Sequence, residues 1–169
     1  MQIAILSFFH YFTCMFKKRE SILEIEEGKF LSPKFDKDGL IPVTTTDHKS
    51  GEVLMHGYMN QEALKITIEK KEACYWSRSR NALWHKGKTS GFIQKVLDIR
   101  IDDDQDALWM TVDIGDGASC HVGYKSCFYR SIELGTIENL EKITLKQREK
   151  EKKFDPDKVY EGQPNPTKL

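Results

Sequence analysis

Residues 102–106, DDDQD, place four carboxylates inside VLDIRIDDDQDALWMTV, a segment that otherwise reads as a buried strand. Aspartate is a poor strand former, and like charges packed together cost energy unless a cation compensates them. In an extended chain Asp102, Asp104 and Asp106 point one way, and Asp103 and Gln105 the other. Three carboxylates on one face, about 7 Å apart at steps of two residues, make a hard oxygen site suited to Mg2+. An exposed acidic turn is the alternative, and the apolar neighbours Ile99, Ile101, Leu108 and Met110 weigh against it.

A second group is CHVGYKSC, with Cys120 and Cys127 seven positions apart. That is not the C-x-x-C spacing of zinc ribbons, and two ligands alone do not build a site. Two buried small hydrophobes would read the same way. His121 fits a ligand, an acid/base group or a satisfied core residue, and spacing does not choose among them. A third group is YWSRSRNALWHKGKTSG, where Arg78, Arg80, His85, Lys86 and Lys88 surround a glycine-bounded loop carrying Thr89 and Ser90. Guanidinium groups and loop N–H donors are what a phosphate needs. Trp76 and Trp84 could stack on a base, although buried aromatics are more often core, and a solvated basic loop would look alike.

The elements that must carry these residues are mostly strands. GLIPVTTTD predicts a strand near 40–46, DHKSGE a turn, and EVLMHGYM (52–59) the paired strand. Asn60 followed by QEALKITIEKK predicts an N-capped helix over 60–71. EACYWSRS returns to strand character and KGKTSG (86–91) is a loop. FIQKVLDIRID and DALWMTVDI predict one long strand running through the acidic stretch, with a turn at GDGAS. From about 138 the chain is expected to be helical, including the mixed-charge run KQREKEKK (146–153), and then Pro-containing coil. The fold class is α+β and mostly β, a single domain with few helices.

Composition narrows the partners. In 169 residues Lys and Arg total 26 and Asp and Glu total 26, so no overall field steers the chain towards nucleic acid or a membrane. Four dispersed cysteines (Cys14, Cys74, Cys120, Cys127) argue against a secreted disulfide scaffold and for a reducing, cytoplasmic setting. The apolar run from Ile3 to Phe16 is too short for a spanning helix and lacks the flanks of a secretory signal. The expected organisation is an N-terminal extension over 1–20, a domain over 21–137 and a charged tail over 138–169.

Taken together, GLIPV (39–43), VLMHGYMNQEAL (53–64), YWSRSRNALWHKGKTSG (75–91), DDDQDALWMTV (102–112) and CHVGYKSCFYR (120–130) closely resemble phosphoribosyl-AMP cyclohydrolase. The resemblance covers about residues 35–132, with the motifs in the family's order and nearly its spacing. It implies hydrolytic opening of the purine ring of N1-(5-phosphoribosyl)-AMP at the N1–C6 bond, a step of histidine biosynthesis. It also implies an intertwined, cytoplasmic homodimer using Zn2+ and Mg2+. The family's Asp-Cys-Asp-x-Asp motif assigns Mg2+ to Asp102, Asp104 and Asp106. Its two later zinc-ligating cysteines fall on Cys120 and Cys127.

The chain departs from that pattern at one position. Asp103 stands where the family has its first zinc-ligating cysteine, contributed across the dimer from the partner subunit. Aspartate binds Zn2+ with the same formal charge, but it is a shorter and harder donor, which alters geometry and metal preference. The resemblance further implies attack on C6 by a zinc-bound hydroxide, with His121 moving protons. Arg78, Arg80 and Lys86, with Thr89 and Ser90 of the loop, are then the substrate-binding residues. Two alternatives are a paralogue acting on another purine-like nucleotide and a non-catalytic relative that keeps nucleotide or metal binding.

Overall fold

Alternation along residues 108–113 turns Leu108, Met110 and Val112 inward and leaves Trp109 exposed, the pattern of a strand with one buried face. In the computed structural model, which describes residues 16–135, 139–163, 165 and 167, this segment is β6 (Leu108–Asp113) of a four-stranded sheet. Its companions are β1 (Ile41–Asp47), β2 (Val53–Met59) and β5 (Lys95–Ile101), in the order β2-β1-β6-β5. The β1–β2 and β5–β6 pairs are antiparallel hairpins, and β1 runs parallel to β6. Two further hairpins pair β3 (Cys74–Ser77) with β4 (Ala82–His85), and β7 (Arg130–Ile132) with β8 (Leu145–Gln147).

Helix α2 (Gln61–Lys70) forms where the pattern predicts it. Asn60 Oδ1 accepts the Ala63 N–H at 2.8 Å, and Lys71 closes the helix in the left-handed region at φ 55°. Ala63, Leu64 and Thr67 face the core. Thr67 ties the helix to β3, because its Oγ1 donates to Ala63 O and accepts the Cys74 N–H at 3.0 Å. Ile41, Val43, Leu54, Met59, Leu64, Tyr75, Met110 and Val112 make one continuous core. Each fully buried aliphatic side chain contributes about 1.5–3 kcal/mol. Two short α-helices, α1 (Ile22–Glu27), capped by Ser21, and α3 (Pro156–Val159), and one 3-10 turn over Leu140–Lys142 complete the described elements. Among the described residues no helix is long and apolar enough to cross a membrane.

Two expectations are corrected. The acidic stretch is not strand: β5 ends at Ile101, β6 starts at Leu108, and 102–107 turn between them. Asp102 drives the turn, its Oδ1 accepting the N–H of Asp106 at 2.8 Å and of Ala107 at 2.9 Å. Aspartate favours such local side-chain-to-backbone bonds over a strand ladder. The segment 146–153 is not helical either. It begins in β8 and continues as irregular chain, because pairing with β7 and docking on the loop after β6 override helix propensity. The apolar run from Ile3 to Phe16, except Phe16 itself, and the proposed boundary at 137/138 lie outside the described residues.

Candidate metal and nucleotide site

The acidic turn gathers its carboxylates without needing strand alternation. One oxygen each from Asp102, Asp104 and Asp106 lie within 4.8 Å of one another. Lys34 spans the mouth of the group, donating to Asp106 Oδ2 at 2.9 Å and to Asp104 Oδ2 at 3.2 Å. Its hydrogen bond holds the Asp106 carboxyl below the usual carboxylate range, and the same contacts raise the Lys34 ammonium. Asp103 is exposed and stands outside the triad. Gln105 turns inward instead, at φ 58°, and is buried. Its Oε1 accepts the Ser32 N–H at 2.7 Å and its Nε2 donates to Ile25 O at 2.9 Å, which anchors the turn beneath residues 25–32. From the same N-terminal side Arg19 donates to Ser32 O and Asp104 O.

The cysteine pair is brought together by the loop after β6. Ser119 N–H donates to Lys125 O at 2.9 Å, and Cys120 N–H to Tyr124 O at 3.2 Å, folding 119–125 back on itself. The far end is pinned to β2, where Cys127 N–H meets Leu54 O at 2.7 Å and Ser126 Oγ donates to Val53 O at 2.7 Å. Seven positions apart in sequence, the two thiols are brought close enough to shift one another's ionisation. The Cys127 hydrogen bond lowers the Cys120 thiol, and the same bond raises that of Cys127, so one thiolate is favoured at the pair. Burial, then the neighbouring Lys86 charge, lowers the His121 imidazole, which disfavours its cation. Among the described residues Asp103, Cys120 and Cys127 do not form a three-ligand group within one chain.

The basic segment is divided by the structure. Arg78 and Arg80 sit exposed at the tip of the β3–β4 hairpin, with Arg78 over the Tyr58 ring at 4.0 Å and Arg80 5.5 Å from that of Trp84. Thr89 and Ser90 lie on the following loop, closed by Gly87 at φ 87°, where a Cβ would meet Phe92 backbone at 2.3 Å. Lys86 goes the other way. It is 3% exposed and faces the two thiols, its ammonium lowered by burial against their opposing pull. Sequence reasoning also passes over a buried relay behind the loop. Tyr75 OH donates to Gln94 Oε1 at 2.7 Å, and Gln94 Nε2 to Ser119 Oγ at 2.9 Å, beside Cys120. Lys34, Gln94 and Glu149 carry no motif, since each acts only through tertiary contacts.

Comparison with known proteins resolves what this combination belongs to. Residues 55–129 match the family model for phosphoribosyl-AMP cyclohydrolase. A phosphoribosyl-AMP cyclohydrolase of Rhodopseudomonas palustris (strain TIE-1) is 55% identical over 137 residues, covering 81% of this chain and 89% of that protein. The chain belongs to the phosphoribosyl-AMP cyclohydrolase family. Family members act as hydrolases on a cyclic amidine. Cyclohydrolases from Nitrobacter winogradskyi, 48% identical over 83% of this chain and 94% of that protein, and from Brucella canis, 53% identical over 64% and 78%, are similar to it as well. The matched cyclohydrolase segment holds the β3–β4 hairpin, the acidic turn and both cysteines.

Proposed function

We propose that the chain hydrolyses N1-(5-phosphoribosyl)-AMP at the N1–C6 bond, within histidine biosynthesis, as a cytoplasmic homodimer using Zn2+ and Mg2+. The folding back of residues 119–127, which brings Cys120 and Cys127 together in the loop that carries His121, is the observation that carries this reading. The donor sets suit the two ions. Hard carboxylate oxygens converge at Asp102, Asp104 and Asp106, where the Lys34 ammonium already supplies a positive charge. Soft sulfur converges at the cysteine pair, where Lys86 favours the thiolate form. Asp103, exposed and outside any three-ligand group with that pair in its own chain, would be the third donor, offered to the partner subunit.

A bound zinc ion supplies a water acidic enough to ionise near neutral pH. The protein's own groups do the rest. His121, neutral because burial and Lys86 disfavour its cation, accepts the proton released as water oxygen bonds to C6. The C6–N1 bond then breaks, N1 takes up a proton, and C6 is left as a carboxamide carbon. Arg78 and Arg80 at the hairpin tip, with Thr89 and Ser90 on the glycine-closed loop, bind the phosphates. Lys86, buried against the thiols, acts on the charge of that centre as well as on substrate.

The test joins metal analysis to an ultraviolet assay of ring opening. Purified chain should carry zinc through Cys120, and turnover should disappear in Cys120→Ala. Absence of turnover with both ions supplied, at wild-type folding, would sink the assignment. A second reading, that the site serves another purine-like nucleotide or another metal, is favoured by Asp103 alone. Poor native turnover that Asp103→Cys sharply raises would decide for it.

A further inference from the structure

The chain after β8 is drawn back across the loop that carries Cys120, His121 and Cys127. Arg148 N–H donates to Tyr129 O at 2.8 Å, and Lys153 N–H to Gly123 O at 2.7 Å. Gly123 has φ 104°, and a Cβ there would stand 2.5 Å from Phe154 O, so this close approach of strap and loop requires glycine. Phe154 anchors the strap's end, its ring centroid 5.1 Å from that of Phe92. Between these anchors Glu149 sends its side chain into the loop. Its Oε2 accepts the Lys125 N–H at 2.8 Å and its Oε1 the Ser126 N–H at 2.9 Å. One carboxylate thus holds two consecutive backbone amides, both bonds charge-assisted.

The position of those amides gives the contact its meaning. The Ser126 N–H and the Lys125 carbonyl belong to one planar peptide unit. Its N–H edge is held by Glu149, and its carbonyl edge accepts the Ser119 N–H at 2.9 Å. Ser119 precedes Cys120 and Ser126 precedes Cys127, so this single peptide couples the two arms that present the thiols. A fixed charge on its N–H edge also polarises the carbonyl and strengthens the bond to Ser119. The strap is already tied by backbone bonds at Arg148 and Lys153, so a carboxylate between them is not needed merely to hold the chain end.

We propose that Glu149 is a positioning residue for the cysteine pair: by holding the Lys125 and Ser126 amides it sets the separation and orientation of Cys120 and Cys127. This rests on the reading of those thiols as metal ligands. The experiment measures zinc affinity against a chromophoric chelator and the visible spectrum of the cobalt(II)-substituted chain, for wild type, Glu149→Ala and Glu149→Gln. Measurements are made well below the melting temperature of each variant, with the KM and kcat of the zinc form alongside. Glu149→Ala is expected to lose roughly tenfold to a hundredfold in zinc affinity and to shift the cobalt bands, with kcat falling more than KM changes. Glu149→Gln keeps an acceptor for one amide and should recover part of the affinity. If Glu149→Ala does not fold, the isosteric Glu149→Gln decides by the same readouts. Wild-type affinity and spectrum in a folded variant would overturn the proposal. A wild-type chain that binds neither metal overturns the metal reading itself, a distinguishable failure that removes this inference too.

Discussion

The Lys34 ammonium stands 2.9 Å from Asp106 Oδ2 and reaches across to Asp104 Oδ2 at 3.2 Å, so the acidic turn holds an internal cation. A divalent ion at the triad must compete with that ammonium for the same oxygens. Lys34→Met should therefore tighten magnesium binding by roughly twofold to fivefold, the range an exposed ion pair is worth. Calorimetric titration of the variant beside wild type measures it. Weaker binding in the variant would show that Lys34 instead orders the turn for the metal.

Gln105 is the residue on which the turn's placement depends. It holds a left-handed backbone and a buried amide that satisfies the Ser32 N–H and the Ile25 carbonyl. Gln105→Ala should cost about 1–3 kcal/mol, because the buried Ser32 N–H and the half-buried Ile25 carbonyl lose their partner. Denaturant unfolding gives the cost, and hydrogen exchange at the Ser32 amide should accelerate with it. An unchanged Ser32 amide would mean that the Gln105 side chain does not hold the segment.

Asp47 sets an acid limit on stability. Burial alone would raise its carboxyl, yet hydrogen bonds from the Ser50 hydroxyl and amide and from Lys125 outweigh burial and hold it below 3.8. A carboxyl depressed in the folded state binds fewer protons there than in the unfolded chain. Its stabilisation is thus complete above about pH 4 and drains away as pH falls through the folded value. Asp47→Asn should lower stability at neutral pH by about 1–3 kcal/mol and flatten the profile below pH 4. Thermal melts across pH 2–7 read both effects; parallel profiles for variant and wild type would assign acid sensitivity elsewhere.

Helix α2 and the strands around it were legible because local and tertiary preferences agree there. Asn60 caps, the apolar positions recur at helical spacing, and Leu64 buries where that spacing points. The acidic stretch reads as strand because apolar residues alternate on both sides of it, at Ile99 and Ile101 and at Leu108 and Met110, and only Asp102's bonds to two later amides break the run. Its three metal candidates still converge, through a turn and not a strand face. The cysteines were visible but undecided, since their meeting depends on backbone bonds within 119–125 that spacing does not encode. Glu149 lies in a run whose charges and helix formers suggest a solvated helix. The loop amides it binds are more than twenty residues earlier, beyond any local pattern.

Asp103 is where metal preference is most open to change. It is exposed on the turn, it stands outside the carboxylate triad, and its carboxylate is a harder donor than a thiolate. Replacing it by cysteine removes no described contact, so the Asp103→Cys chain should fold and melt as wild type does. If the position faces the partner's cysteine pair, zinc affinity should rise by roughly tenfold or more, since even residues beyond the ligands move affinity by ten to a hundredfold. Preference for zinc over manganese should widen at the same time, because thiolate favours the softer ion. Competition with a chromophoric chelator, run for each metal on both chains, gives the two ratios directly. Equal zinc affinities in wild type and Asp103→Cys would remove Asp103 from the ligand set and leave the cysteine pair to find its third donor elsewhere.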